Sequence, residues 1–185
     1  MPREYVSWSA MSCWEQSKTE WIKRYIKNQD TFQTDALRLG KKFAEEMELG
    51  LSMDAEFQFL IELLPKMEKQ EVEVDVMFGK IKLRAKMDSA GEIGFREYKT
   101  GSVPWDQKRV DEHGQLDFYA LCRTLQGLRI DEIWLDWLPT RNGKLTGEIR
   151  SFKRIVTKKH LEAMKKRIKK YIAEVKHYKV LNLKD

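Results

Sequence analysis

Residues 71–88 read EVEVDVMFGKIKLRAKMD, and their period decides the fold. Val72, Val74, Val76 and Phe78 alternate with Glu71, Glu73, Asp75 and Met77; after Gly79 the alternation resumes with Ile81, Leu83, Ala85 and Met87 against Lys82, Arg84 and Lys86. A two-residue period on both sides of a glycine predicts a β-hairpin with one buried face. Towards the carboxy terminus, Asp88-Ser-Ala-Gly-Glu92 reads as a turn into a third strand from Ile93 to Lys99, which Thr100-Gly101-Ser102 breaks. Next come a helix from about Val110 to Gln126, a strand from Ile130 to Leu138, a turn at Asn142-Gly143 and a strand from Leu145 to Phe152. The chain closes on a basic amphipathic helix over about 158–181, with Leu161, Met164, Ile168, Tyr171, Ile172 and Val175 on its apolar side.

Towards the amino terminus the period becomes helical. Ser9 can cap a helix running to about Ile26, with Ala10, Trp14, Trp21 and Tyr25 on one face. A second helix is expected from Asp35 to about Leu49, ended by Gly50, and a third from Ala55 to Leu64 before Pro65. The order of elements predicts an α/β fold, a mixed central sheet flanked by helices. With 185 residues, no Ser/Gly-rich linker and no repeat, residues 1–185 are read as a single domain.

Composition narrows the class. An apolar share of 42% with six Trp, six Tyr and eight Phe excludes a disordered chain. Cys13 and Cys122 are too few for a disulfide framework or a four-thiolate metal site. The first ten residues lack an uninterrupted apolar run, so neither a signal peptide nor a membrane contact is expected, and the cytoplasm is the expected compartment. The net charge of +6 conceals a polarity: residues 150–179 carry twelve Lys or Arg against two Glu, whereas residues 45–75 carry ten acidic residues against two lysines. The basic stretch points to a polyanion partner, and the acidic body raises the question of bound metal. His113, His160 and His177 lack the spacing of a zinc site, and no phosphate-binding GxxxxGK[ST] loop occurs.

The chemistry concentrates at Asp88 and Glu97-Tyr98-Lys99. On a strand, Glu97 and Lys99 point to one side and Tyr98 to the other, while the preceding turn returns the chain beside Asp88. Two carboxylates and an ammonium thus meet at one edge of the sheet. Hard cations prefer oxygen, which makes Asp88, Glu97 and the Tyr98 backbone carbonyl a ligand set for Mg²⁺. Lys99 beside it can orient or deprotonate an attacking water, or offset charge on a phosphate.

Asp88, the run Glu97-Tyr98-Lys99-Thr100-Gly101 and the following Gln115-Leu116-x-x-Tyr119 together resemble the nuclease signature of the RecB-like branch of the PD-(D/E)xK superfamily. The opening Ser7-Trp8-Ser9 with its aromatic helix also resembles that branch, so the resemblance spans roughly Ser7 to Leu125. It implies a restriction-endonuclease-like core and a Mg²⁺- or Mn²⁺-dependent deoxyribonuclease. Asp88 and Glu97 would hold the metal, Lys99 would assist the attacking water, and Gln115 and Tyr119 would face the site. Within the family, stand-alone enzymes of this size in phages and bacteria are exonucleases that process DNA ends in recombination and repair. That implies DNA as partner, together with a recombinase or single-strand annealing protein. A site-specific endonuclease and a non-catalytic DNA-binding accessory protein are the alternatives.

The chain departs from the family pattern at two places. Many members carry a metal-binding His or Glu four residues after a Gly on the helix before the hairpin; counting from Gly40 reaches Ala44. Glu48, one turn further along nearly the same face, and Glu45, the sequence neighbour, are the candidates to replace it. The four cysteines of the iron-sulfur relatives are missing, so no iron-sulfur cluster is expected. For the DNA, Lys165, Lys166, Lys169 and Lys170 on the last helix are candidate backbone contacts, Lys23, Arg24 and Lys27 form a second basic cluster, and Trp105 is a candidate for stacking.

Overall fold

The hairpin forms as its period requires. In the computed structural model, which describes residues 4–29 and 34–182, β2 (Lys69–Phe78) and β3 (Ile81–Ala90) pair antiparallel, with Gly79 at φ +62° in the turn. Val74 faces Ala85 and Val76 faces Leu83 on the buried side. The other side carries the charges in complementary rows: Arg84 donates to both oxygens of Asp75 at 2.7 and 2.8 Å, and Lys82 reaches Asp75 at 2.7 Å. Three acidic residues of the run at 45–75, Glu71, Glu73 and Asp75, are thus spent on ion pairs with the next strand.

The remaining strands are β1 (Val6–Ser7), β4 (Gly94–Gly101), β5 (Glu132–Arg141), β6 (Lys144–Leu145) and β7 (Arg150–Arg154). They complete a mixed seven-stranded sheet in which β4 runs antiparallel to β3 and parallel to β5, while β5 pairs antiparallel with β6 and β7. The helices are α1 (Trp8–Gln16), α2 (Lys18–Tyr25), α3 (Asp35–Leu49), α4 (Ala55–Leu63), α5 (Gln107–Asp111), α6 (Gly114–Leu125) and α7 (Lys158–Asn182). A large core forms where α1, α2, α6 and α7 cover one face of the sheet through Trp14, Trp21, Phe118, Leu121, Ile168 and Tyr171. On the opposite face α3 and α4 build a smaller core from Phe43, Met47, Phe57, Leu60 and Leu138. No described helix is long and apolar enough to cross a membrane.

Several boundaries differ from the sequence reading, each for a local reason. Ser7 rather than Ser9 caps α1, its hydroxyl accepting from the Ala10 N–H, because Val6 and Ser7 are drawn into a short strand parallel to β3. The opening helix breaks at Ser17, which caps α2 by accepting from the Glu20 N–H. The expected helix at 110–126 divides into α5 and α6 around His113, and the strand at 145–152 divides into β6 and β7. Residues 88–90 are not a turn: β3 continues through Asp88 to Ala90.

Candidate active site

A fork in the sheet builds the site. β2 covers one edge of β3 along its length, so β1 and β4 must share the other: β1 pairs at Leu83 and Arg84, β4 at Ser89 and Ala90. Between them the edge at residues 85–88 has no partner strand. There β4 swings away, and the Asp88 side chain bridges the gap, its Oδ2 accepting the Tyr98 N–H at 2.6 Å. A carboxylate thereby satisfies a backbone donor that the ladder has abandoned.

Glu97 and Lys99 project to the face covered by α6, as the strand period requires, while Tyr98 packs against the smaller core. Lys99 Nζ donates to Glu97 Oε1 at 2.5 Å, and Gln115 Nε2 donates to the same oxygen at 2.6 Å and to the Tyr119 hydroxyl at 2.9 Å. Glu97 is 3% exposed, and its other oxygen, Oε2, is buried with no hydrogen-bond partner among the described residues. Such an orphaned acceptor is costly unless something occupies it.

The electrostatics agree. Burial and the neighbouring Glu97 push Asp88 well above the usual carboxylate range. Burial also raises Glu97 against the opposing pull of Lys99. Burial draws the Lys99 ammonium down, but Glu97 and Asp88 outweigh it and hold the group above its ordinary value, so it stays charged at neutral pH. Two crowded carboxylates with one cation between them form a site short of positive charge.

Lys99 lines two openings. One, of about 470 Å³, is walled by Gly40, Ala44, Glu71, Asp88, Glu97 and Thr100. The other, of about 940 Å³, runs past Gln115, Tyr119, Ser7, Ser9, Ser12, Arg84 and Lys86 to Arg24. The structure thus brings Asp88, Glu97, Tyr98, Lys99, Gln115 and Tyr119 together, with Trp8 and the serines of the opening motif around them. Glu45 and Glu48 are both exposed and line neither of these two openings, whereas Ala44 does; Glu45 is 3.6 Å from Lys41, and Glu48 is near enough to Lys86 to act on its charge. Among the described residues no three His, Cys, Asp or Glu side chains converge on a common metal position.

The four candidate lysines of α7 lie away from both openings. Lys165 pairs with Glu162 at 2.6 Å and Lys170 with Glu174 at 3.8 Å, Lys169 lies 5.7 Å from the Phe78 ring, Lys166 is exposed, and none lines either opening. Trp105 packs in the core margin with the Arg109 guanidinium 3.9 Å from its ring centre.

Two residues at the site escaped sequence reasoning. Glu71 sits opposite Asp88 but drops out of the ladder at φ +50°, although the register is unchanged on both sides of it; its carboxylate pairs with Lys86 at 2.5 Å and lines the smaller opening. Its signal in the sequence is only that of one more polar position in an alternating strand. His113 is the N-cap of α6, and its Nε2 lies 3.3 Å from Gln115 Oε1. Burial, with Lys99 nearby, lowers it to about 4, so it is neutral at ordinary pH.

The whole chain was compared with known proteins. No protein-family model matches it, and no curated protein matches it in sequence. Among solved structures it resembles the crystal structure of a provisionally named exonuclease from Eubacterium rectale, with a TM-score of 0.65 at 13% identity, covering 93% of this chain and 80% of that one. At that identity the likeness is one of fold, and the mixed α/β sheet flanked by helices is the architecture the two chains share.

Proposed function

We propose that this chain is a metal-dependent deoxyribonuclease of the RecB-like PD-(D/E)xK type, acting as an exonuclease on DNA ends. The observation that carries the reading is Glu97: one oxygen holds Lys99 and Gln115, the other is buried and bare among the described residues, and its charge acts on the neighbouring Asp88 carboxylate. The residues fit a hard divalent cation, which takes carboxylate and carbonyl oxygens and keeps several waters, so that Asp88, Glu97 and the Tyr98 carbonyl suffice without a third acidic ligand. When bound, Mg²⁺ or Mn²⁺ supplies Lewis-acid polarisation of the phosphodiester and a water of lowered pKa.

The chain's own groups do the rest. Lys99, an ammonium facing both openings, stabilises the negative charge that builds on the phosphate as water attacks phosphorus and the P–O bond to the leaving oxygen breaks. Gln115 holds Glu97 in place, and Tyr119 takes the second proton of its amide. The wider opening, with Ser7, Ser9 and Ser12 on its walls, offers hydroxyl donors suited to phosphodiester oxygens, while Arg84 and Lys86 there are engaged by Asp75 and Glu71. The fold shared with the Eubacterium rectale protein supports the same direction.

The test is digestion of linear and closed circular duplex DNA, with and without Mg²⁺ or Mn²⁺. Metal-dependent shortening of the linear substrate alone is expected, and Lys99→Ala should lose at least about a hundredfold in rate while the variant remains folded. Discrete products from circles would make it an endonuclease. DNA binding without cleavage in either metal would mark a non-catalytic accessory protein, the reading that Ala44 at the family's ligand position favours.

A further inference from the structure

We infer that His113 is a positioning residue that decides which oxygen of Glu97 is left open for a cation, by fixing the side-chain amide of Gln115. The argument begins with the amide. Its nitrogen donates to Glu97 Oε1 and to Tyr119, so its oxygen must face the other way, towards His113 Nε2 at 3.3 Å. An amide oxygen only accepts, which requires the proton of the neutral imidazole to sit on Nε2 and leaves Nδ1 bare. The ring cannot easily turn away: Trp105 meets it edge-on at 4.9 Å between centroids and Trp8 at 6.3 Å.

The consequence falls on Glu97. With the amide held, Gln115 and Lys99 both converge on Oε1 and Oε2 has no partner. With the His113 donor removed, nothing tethers the amide oxygen. The NH₂ is then free to swing across the carboxylate and satisfy Oε2, in competition with any cation. His113 therefore acts on the metal site without touching it, as outer-shell partners of ligating groups do.

This rests on the nuclease reading only for the identity of the ligand. His113→Phe keeps an aromatic ring between the two tryptophans and removes the donor. Mn²⁺ titration followed by electron paramagnetic resonance should show affinity reduced about tenfold, with the unfolding midpoint and the KM for DNA unchanged and kcat lowered. Unchanged Mn²⁺ affinity in the folded variant overturns the inference. A second measurement needs no variant: a long-range ¹H–¹⁵N spectrum of the wild-type protein at neutral pH should show His113 as the Nε2–H tautomer, and the Nδ1–H tautomer overturns the inference. If the wild-type protein binds no Mn²⁺ while the tautomer is as expected, the metal reading fails and the His113–Gln115 contact stands.

Discussion

Replacing Gly114 with alanine sets two well-understood effects against each other. By helix propensity alone the change should stabilise α6 by up to about 1 kcal/mol. The surroundings argue the opposite: a Cβ at residue 114 would lie 2.5 Å from the Trp8 ring tip and 2.5 Å from Arg167 Nη1. The tryptophan is wedged against His113, and Arg167 is held by both oxygens of Glu15 and stacked 4.7 Å above Trp8. Moving the guanidinium gives up an ion pair that is about one-third exposed, worth about 0.5 kcal/mol; moving the ring disturbs packed neighbours, and overpacking of this kind costs about 1–3 kcal/mol. The net expectation is destabilisation by about 1–2 kcal/mol, which at an m-value of about 2 kcal/mol/M lowers the urea midpoint by about 0.5–1 M. Tryptophan fluorescence during urea titration reads this directly. In an Arg167→Ala background the penalty should shrink, because one of the two obstacles has gone. A midpoint that stays or rises on Gly114→Ala would refute the reasoning.

Two further outcomes are expected. Arg154→Met removes the 2.9 Å partner of the partly buried Asp117 from a side chain that is only 5% exposed; urea titration should show a loss of about 3 kcal/mol, partly recovered by Asp117→Asn. His113 has a folded-state value of about 4, below its ordinary 6.5, so its contribution to stability is present above 6.5 and is lost as pH falls towards 4. Urea midpoints measured down that range should fall more steeply for the wild-type protein than for His113→Phe; parallel profiles would show that the ring titrates normally in the folded state.

The strand period of 71–88 announced the hairpin because its two faces meet different solvents, an apolar core on one side and an ion-pair ladder on the other. The helix at Asp35–Leu49 and its Gly50 stop were equally legible, since the capping signals are local. What escaped was set by distant partners. β1 exists only because Leu83 and Arg84 offer Val6 and Ser7 an edge to join, and nothing within two residues can signal that. The break at His113 has the same origin: the sequence reads as one helix from about Val110 to Gln126, and the division answers to what the ring meets in Trp8 and Trp105. At the site, Asp88, Glu97 and Lys99 could be named from type and spacing, and Gln115 and Tyr119 only through the resemblance to the nuclease signature. The substitution of Glu45 or Glu48 for Ala44 could not be judged that way, because which side chain of a helix lines an opening depends on how the helix packs, and here Ala44 lines it while Glu45 and Glu48 are exposed.

The fork also orders events in time. The β2–β3 hairpin closes over a two-residue turn, whereas β1 can join only by bringing position 6 to position 83, a closure that costs roughly 3 kcal/mol more in chain entropy. The segment at Val6 and Ser7 is therefore among the last to be placed. Since Ser7, Trp8, Ser9 and Ser12 form one wall of the wider opening, the chain can assemble most of its sheet before that wall exists, and the site is completed only when β1 and α1 dock.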